Sequence, residues 1–198
     1  ITFTDTSFNN VTEIRKMPFT DTQGTISDEN GNLLMSSNGI FIADATGDTM
    51  QNGSGLNPNS FTDDYKQNGL PGSYMNIFIP KPGDTTKYIL FHQTGNYFSG
   101  SLLSSTEIYY SVVDINYNGG LGKVVSKNNI ALNGLFGWGL SACKHANGRD
   151  WWVFSISTNA DSVFKFLITS DTVYFVGSQY LNLVASIGWA GQPTFSPD

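Results

Sequence analysis

The chain has 198 residues, enough for one sizeable core and too few for two ordinary domains joined by a linker. Its 39% apolar and 14% aromatic residues are those of a folded protein, while only 13% charge alongside 21 glycines suits short strands and tight turns, not a helical bundle or a disordered tail. A formal charge of −6 without any run of Lys or Arg excludes a basic face for nucleic acid or anionic lipid, and no apolar stretch reaches the length of a membrane-spanning helix.

The first residues, Ile1-Thr2-Phe3-Thr4, form a short strand signal with neither a basic n-region nor an apolar h-region. The numbering is therefore expected to begin after a removed signal or inside a larger protein. From residue 24 onward, strand signals follow one another in short β-branched or aromatic runs bounded by turn formers. A first strand at 24–27 leads through the turn Asp28-Glu29-Asn30-Gly31-Asn32 to strands at 33–36 and 39–44. The same order recurs at 76–80, a turn at 81–87 around Pro82-Gly83-Asp84, then 88–91 and 107–114. It recurs again at 140–144, a turn at 145–150 around Asn147-Gly148, then 151–154 and 162–169. Outer strands are expected at 123–126 and 174–177, and a further first strand at 191–195.

The spacing between copies is roughly 50 to 65 residues, the length of a four-stranded propeller blade and too long for leucine-rich or ankyrin repeats. Strands such as Tyr88-Ile89-Leu90-Phe91 and Trp151-Trp152-Val153-Phe154 are apolar at successive positions, so both faces of each sheet expect cover from a neighbour. The expected fold is all-β: a partial β-propeller of four-stranded antiparallel blades, about three blades plus the first strand of a fourth. The divisions are 1–23 for an N-terminal outer or closing strand, 24–73, 74–136 and 137–188 for three blades, and 189–198 for the start of the fourth. An open ring leaves an unpaired edge, so the remaining blades are expected from a longer parent chain, or else from a neighbouring chain.

Several stretches resemble the propeller regions, of the WD-like or YVTN-like repeat type, in secreted proteins of Bacteroidota that leave by type IX secretion. These are Ile26-Ser27-Asp28-Glu29-Asn30-Gly31-Asn32-Leu33-Leu34, Lys87-Tyr88-Ile89-Leu90-Phe91-His92, Lys144-His145-Ala146-Asn147-Gly148-Arg149-Asp150-Trp151-Trp152 and Phe195-Ser196-Pro197-Asp198. The resemblance implies a propeller, a secreted or cell-surface location and a C-terminal sorting domain absent from these residues. It implies no catalytic residues.

Chemistry-bearing residues are few. His92, Cys143 and His145 lie at no zinc spacing, so each is expected to be structural; the single cysteine excludes an intrachain disulfide. Asp28-Glu29-Asn30-Gly31-Asn32 opens like a calcium loop without its closing Glu, and Asp63-Asp64 or Asp44 with Asp48 are further hard-cation candidates. Solvated turns are preferred, with no cofactor, and a loop calcium is the alternative. No nucleophile elbow, P-loop or dinucleotide fingerprint is present, and Glu is limited to Glu13, Glu29 and Glu107, so an enzyme is not expected. Aromatics in Gly- or Asn-rich contexts are the better lead: Tyr65, Tyr97, Trp138 and Trp189, with Phe98, Tyr117 and Phe136 beside them, either face a ligand or pack between blades. Thr49, Thr85, Ser162 and Thr172 each follow Asp and precede a residue that fits or approaches the O-glycosylation pattern of the resembled group. The function expected is a non-catalytic extracellular scaffold or adhesion module presenting loops to a protein or glycan partner. The alternatives are a glycoside hydrolase or lyase propeller, and a structural subunit completed by another chain.

Overall fold

The computed structural model describes residues 2–3, 6–9, 15–98, 101–182 and 193–195. Two short strands, β1 (Thr2–Phe3) and β2 (Phe8–Asn9), pair antiparallel with each other. The next four, β3 (Gly24–Ser27), β4 (Leu33–Ser37), β5 (Phe41–Asp44) and β6 (Thr49–Ser54), form an antiparallel meander. Its first turn closes because Asp28 accepts hydrogen bonds on one carboxylate oxygen from the Asn30 and Asn32 backbone N–H groups, at 2.9 and 2.8 Å. Gly31 takes the positive φ of 82° that this turn requires.

A five-residue helix, α1 (Ser60–Asp64), follows, its N-cap Asn59 accepting from the Thr62 N–H at 2.8 Å. Then come β7 (Asn76–Pro80), β8 (Lys87–Gln93), β9 (Asn96–Phe98), β10 (Ser101–Asp114) and β11 (Lys123–Lys144). β7, β8, β10 and β11 make a second antiparallel meander, with β9 folded onto the start of β10. β12 (Trp151–Ser157), β13 (Ser162–Ile168) and β14 (Val173–Tyr180) extend from β11 as a third.

The expected all-β class holds: 53% of the chain is strand and 5% helix, in a nearly closed, barrel-like sheet of twelve strands. The largest difference from the sequence reading lies in one strand. In place of separate strands at 123–126 and 140–144, β11 runs unbroken for 22 residues. Its first part pairs with β10 and its last part with β12, Phe136 facing Ser105 on one side and Ser157 on the other. A straight strand of that length would span about 70 Å. Repeated register shifts against β10, and another between Phe136 and Leu140, bend it to fit. The Asn- and Gly-rich middle that suggested a loop supplies that bend: Asn128 sits at φ 56°, and a Cβ on Gly137 would meet the Ser157 carbonyl at 3.1 Å.

The core explains the apolar runs. Leu90 and Phe78 face Met35, Ile42 and Met50 of the first meander. Their neighbours Ile89, Phe91 and Ile79 face Leu140, Val153 and Phe166 of the third. The second meander is thus buried on both faces, and polar alternation is absent from β8 because neither face meets water. On the third meander, Trp151 and Val153 pack inward while Trp152 and Phe154 turn to the other face, where Phe195 lies 4.9 Å from Phe154. Residues 193–195 are not a strand, and the rest of the expected strand at 191–195 lies outside the described residues.

Candidate functional site

One buried polar group joins four segments. His92 on β8 is fully buried; its Nδ1 lies 2.7 Å from Asn57 Oδ1 and its Nε2 lies 2.9 Å from Ser111 Oγ. Asn57 Nδ2 already donates to the Gly39 carbonyl, so Oδ1 is the acceptor and His92 carries its proton on Nδ1. Nε2 then accepts from the Ser111 hydroxyl, whose oxygen in turn accepts from the Asn128 N–H at 3.1 Å. Desolvation pushes the His92 imidazole down to about 3, so it is neutral. The order Ser–His–Asn is that of a nucleophile, base and orienting group, but Ser111, His92 and Asn57 are all closed to solvent. No acyl group reaches the hydroxyl. The array is a brace that ties the loop after β6 to β8, β10 and β11, in keeping with a structural His92.

A second place has access. Where β3, β7 and the end of β11 approach one another, a cavity of about 210 Å³ opens between Gly24, Thr25, Tyr74, Asn76, Ile77 and Leu140. Asn76 is buried; its Nδ2 donates to the Ser37 carbonyl at 3.2 Å, while its Oδ1 accepts no hydrogen bond. Any side chain on Gly24 would collide with that oxygen. Tyr74 stands at the rim, 48% exposed and at φ 57°, an unusual conformation for an aromatic residue. Its carbonyl is held by the Leu140 N–H at 2.9 Å. Among the described residues no Asp, Glu, Lys, Arg or His lines this cavity. A wider depression of about 320 Å³ lies beside Lys16, Met17, Ser36 and Thr46, with Lys16 bound to Asp48 at 2.7 Å.

The aromatics singled out from the sequence separate into groups. Tyr65 and Tyr97 are brought together by Phe61, at centroid distances of 4.8 and 5.4 Å. The Tyr97 hydroxyl donates to Asp64 at 2.6 Å, which raises its pKa to about 12. Trp138 does not face solvent: it is 8% exposed and packed with Phe61, Leu70 and Met75. Phe136 is likewise core, and Tyr117 is exposed with Lys123 Nζ over its ring at 5.2 Å. Trp189 and the side chain of Phe98 lie outside the described residues. Thr49, Thr85 and Thr172 are exposed at turns or strand starts, and Ser162 is half-buried.

The acidic turns are occupied by their own backbones. Asp28 is capped as above, and Asp44 accepts from the Thr46 N–H and hydroxyl at 2.8 and 2.7 Å. Among the described residues no group of three or more His, Cys, Asp and Glu gathers to hold a metal. His145 accepts from the Asn147 N–H and packs on Trp152, and Cys143 is half-buried with its thiol pKa raised by burial.

No protein-family model, curated protein or solved structure matches this chain.

Two features escaped the sequence reading. Tyr74 follows Pro71-Gly72-Ser73, and only its positive φ and its cavity mark it. The second is the outer edge at β14, where Tyr174, Phe175, Val176 and Tyr180 are 48, 42, 51 and 65% exposed. Uninterrupted lack of charge from Val173 to Tyr180 was the signal available.

Proposed function

We propose that this chain is a non-catalytic binding scaffold, a piece of a secreted β-propeller whose three meanders are blades, holding surfaces out to a protein or glycan partner. The mutual approach of β3, β7 and the end of β11 supports the blade reading. Among the described residues β3 ladders only with β4 and β7 only with β8, yet the two meet through Gly24 and Asn76, as innermost strands do around an axis. The resemblance to type IX cargo of Bacteroidota supports a secreted or cell-surface address. Glycans on Thr49, Thr85, Ser162 or Thr172 belong to the same proposal.

The observation that carries the reading is the β14 edge. Among the described residues this strand pairs on one side only, with β13. It offers eight residues without one charge or proline, and its apolar side chains stand in solvent. Monomeric proteins guard such edges with Lys, Pro or bulges, because unpaired N–H and C=O groups recruit other strands. β14 has neither Lys nor Pro and only one register shift against β13, at Val176, so we read it as a docking edge whose occupant is a further β-strand from another blade or chain.

The test uses the chain itself. Light scattering after size exclusion should show association that grows with concentration, one copy's edge acting as the docked strand of another. Val176→Lys should shift the chain towards monomer without lowering its melting temperature. A wild-type chain that stays monomeric at high concentration, and a variant that behaves identically, would remove β14 as a docking edge.

A further inference from the structure

The geometry points to the cavity between β3, β7 and β11 as a binding site for a single neutral sugar ring, with Tyr74 as its stacking platform. This rests on the reading of the chain as a binding scaffold and names one ligand class for it, at a place separate from the β14 edge. Three observations converge there.

The first is the conformation of Tyr74. A non-glycine residue at φ 57° is disfavoured, and an aromatic one gains nothing local from it. The chain is held in this state from both sides: the Tyr74 carbonyl accepts from Leu140 N–H and the Met75 carbonyl accepts from Gln93 N–H, each at 2.9 Å. The consequence is a tyrosine that lines a cavity while remaining half exposed, although the core cluster of Phe61, Leu70 and Met75 begins one residue later. Strain retained beside a cavity is a mark of a site.

The second is the polar character of the wall. Asn76 is buried at the cavity, with an amide oxygen that accepts nothing. Unpartnered buried polar atoms also occur at Gln93 and Trp138 on the adjoining strands. A buried acceptor without a donor costs free energy until a guest supplies one, and a sugar hydroxyl, or a water it orders, is such a donor.

The third is what the lining lacks and what it offers. With no charged side chain among the described lining residues, the site favours a neutral guest over phosphates, carboxylates and amines. Ile77 and Leu140 meet C–H surfaces, Gln23 and Thr25 offer exposed polar groups at the mouth, and the Tyr74 ring offers a flat π-face. A volume of about 210 Å³ lies below the usual range for drug-sized ligands and holds one pyranose ring.

Saturation-transfer NMR on the full chain with the methyl glycosides of glucose, galactose and mannose, and with N-acetylglucosamine, tests the site. At least one should receive transfer and titrate as a weak, saturable ligand. Tyr74→Gly is the decisive variant, because glycine adopts φ 57° freely: it should melt at the same or a higher temperature yet bind at least tenfold more weakly. Gln23→Ala, at an exposed position, should weaken binding severalfold in a fold that is otherwise unchanged. Absence of transfer to all four sugars in a chain shown to be folded, or full binding by Tyr74→Gly, overturns the inference. Either result leaves the β14 edge standing, whereas loss of self-association in Val176→Lys with sugar binding intact would bear on the edge alone.

Discussion

Gly24 and Asn76 show how closely the first two meanders fit. Because a Cβ on Gly24 would enter the space of Asn76 Oδ1, and Asn76 is itself fixed to Ser37, the clash has no flexible partner to absorb it. Gly24→Ala should lower stability by about 1–3 kcal/mol, measured by urea unfolding. A neutral effect would mean that the two strands are looser than described. His92 sets a second expectation. Its pKa in the folded chain, about 3, lies below the ordinary value of 6.5, so the unfolded chain binds the proton first. The stability this neutrality protects is complete above pH 6.5 and is lost as pH falls towards 3. Between pH 6.5 and 5, where carboxylates contribute little, the wild type should lose stability at a slope approaching 1.4 kcal/mol, roughly, per pH unit. His92→Gln should flatten that slope. Equal slopes in the two chains would show that His92 titrates normally.

At the scale of the element, β8 and β11 teach opposite lessons. The run Tyr88-Ile89-Leu90-Phe91 announced a strand covered on both faces, and the structure places Leu90 in one core and Phe91 in the next. Truncating either should therefore be severe: Leu90→Ala by about 2–5 kcal/mol and Phe91→Ala by about 3–5 kcal/mol in chemical denaturation. A strand with one wet face would lose heavily at only one of the two positions. β11 was only half legible. Asn128, Asn129, Asn133, Gly134 and Gly137 are loop formers by propensity, but β10 pairs with Asn129 and Asn133 and the β12 ladder starts at Phe136, so the segment continues as a bent strand. α1 was missed because five residues carry no helical period; its signal is the Asn59 cap.

Over the whole molecule, protection should be graded from the middle outwards. β8 is laddered on both sides and buried on both faces, while β14 is laddered on one side and largely exposed. Amide hydrogen exchange of the folded chain should be slowest in Leu90, Phe91 and Ile108 and fastest, among the strands, in Val173–Tyr180. Uniform protection across these strands would contradict the open edge on which the proposed scaffold role depends. The sequence by itself determined the all-β class, the first three strands of the first meander to within two residues and the turns at Asp28, Gly83 and Gly148, because strand propensity and positive φ are local properties of the residues concerned; β6 was not foreseen. The tertiary structure alone decided that β11 is continuous, that Trp138 is core while Tyr74 is not, and that Asn57, His92 and Ser111 meet. Each of these depends on which distant strand supplies a neighbour, a choice that no local pattern contains.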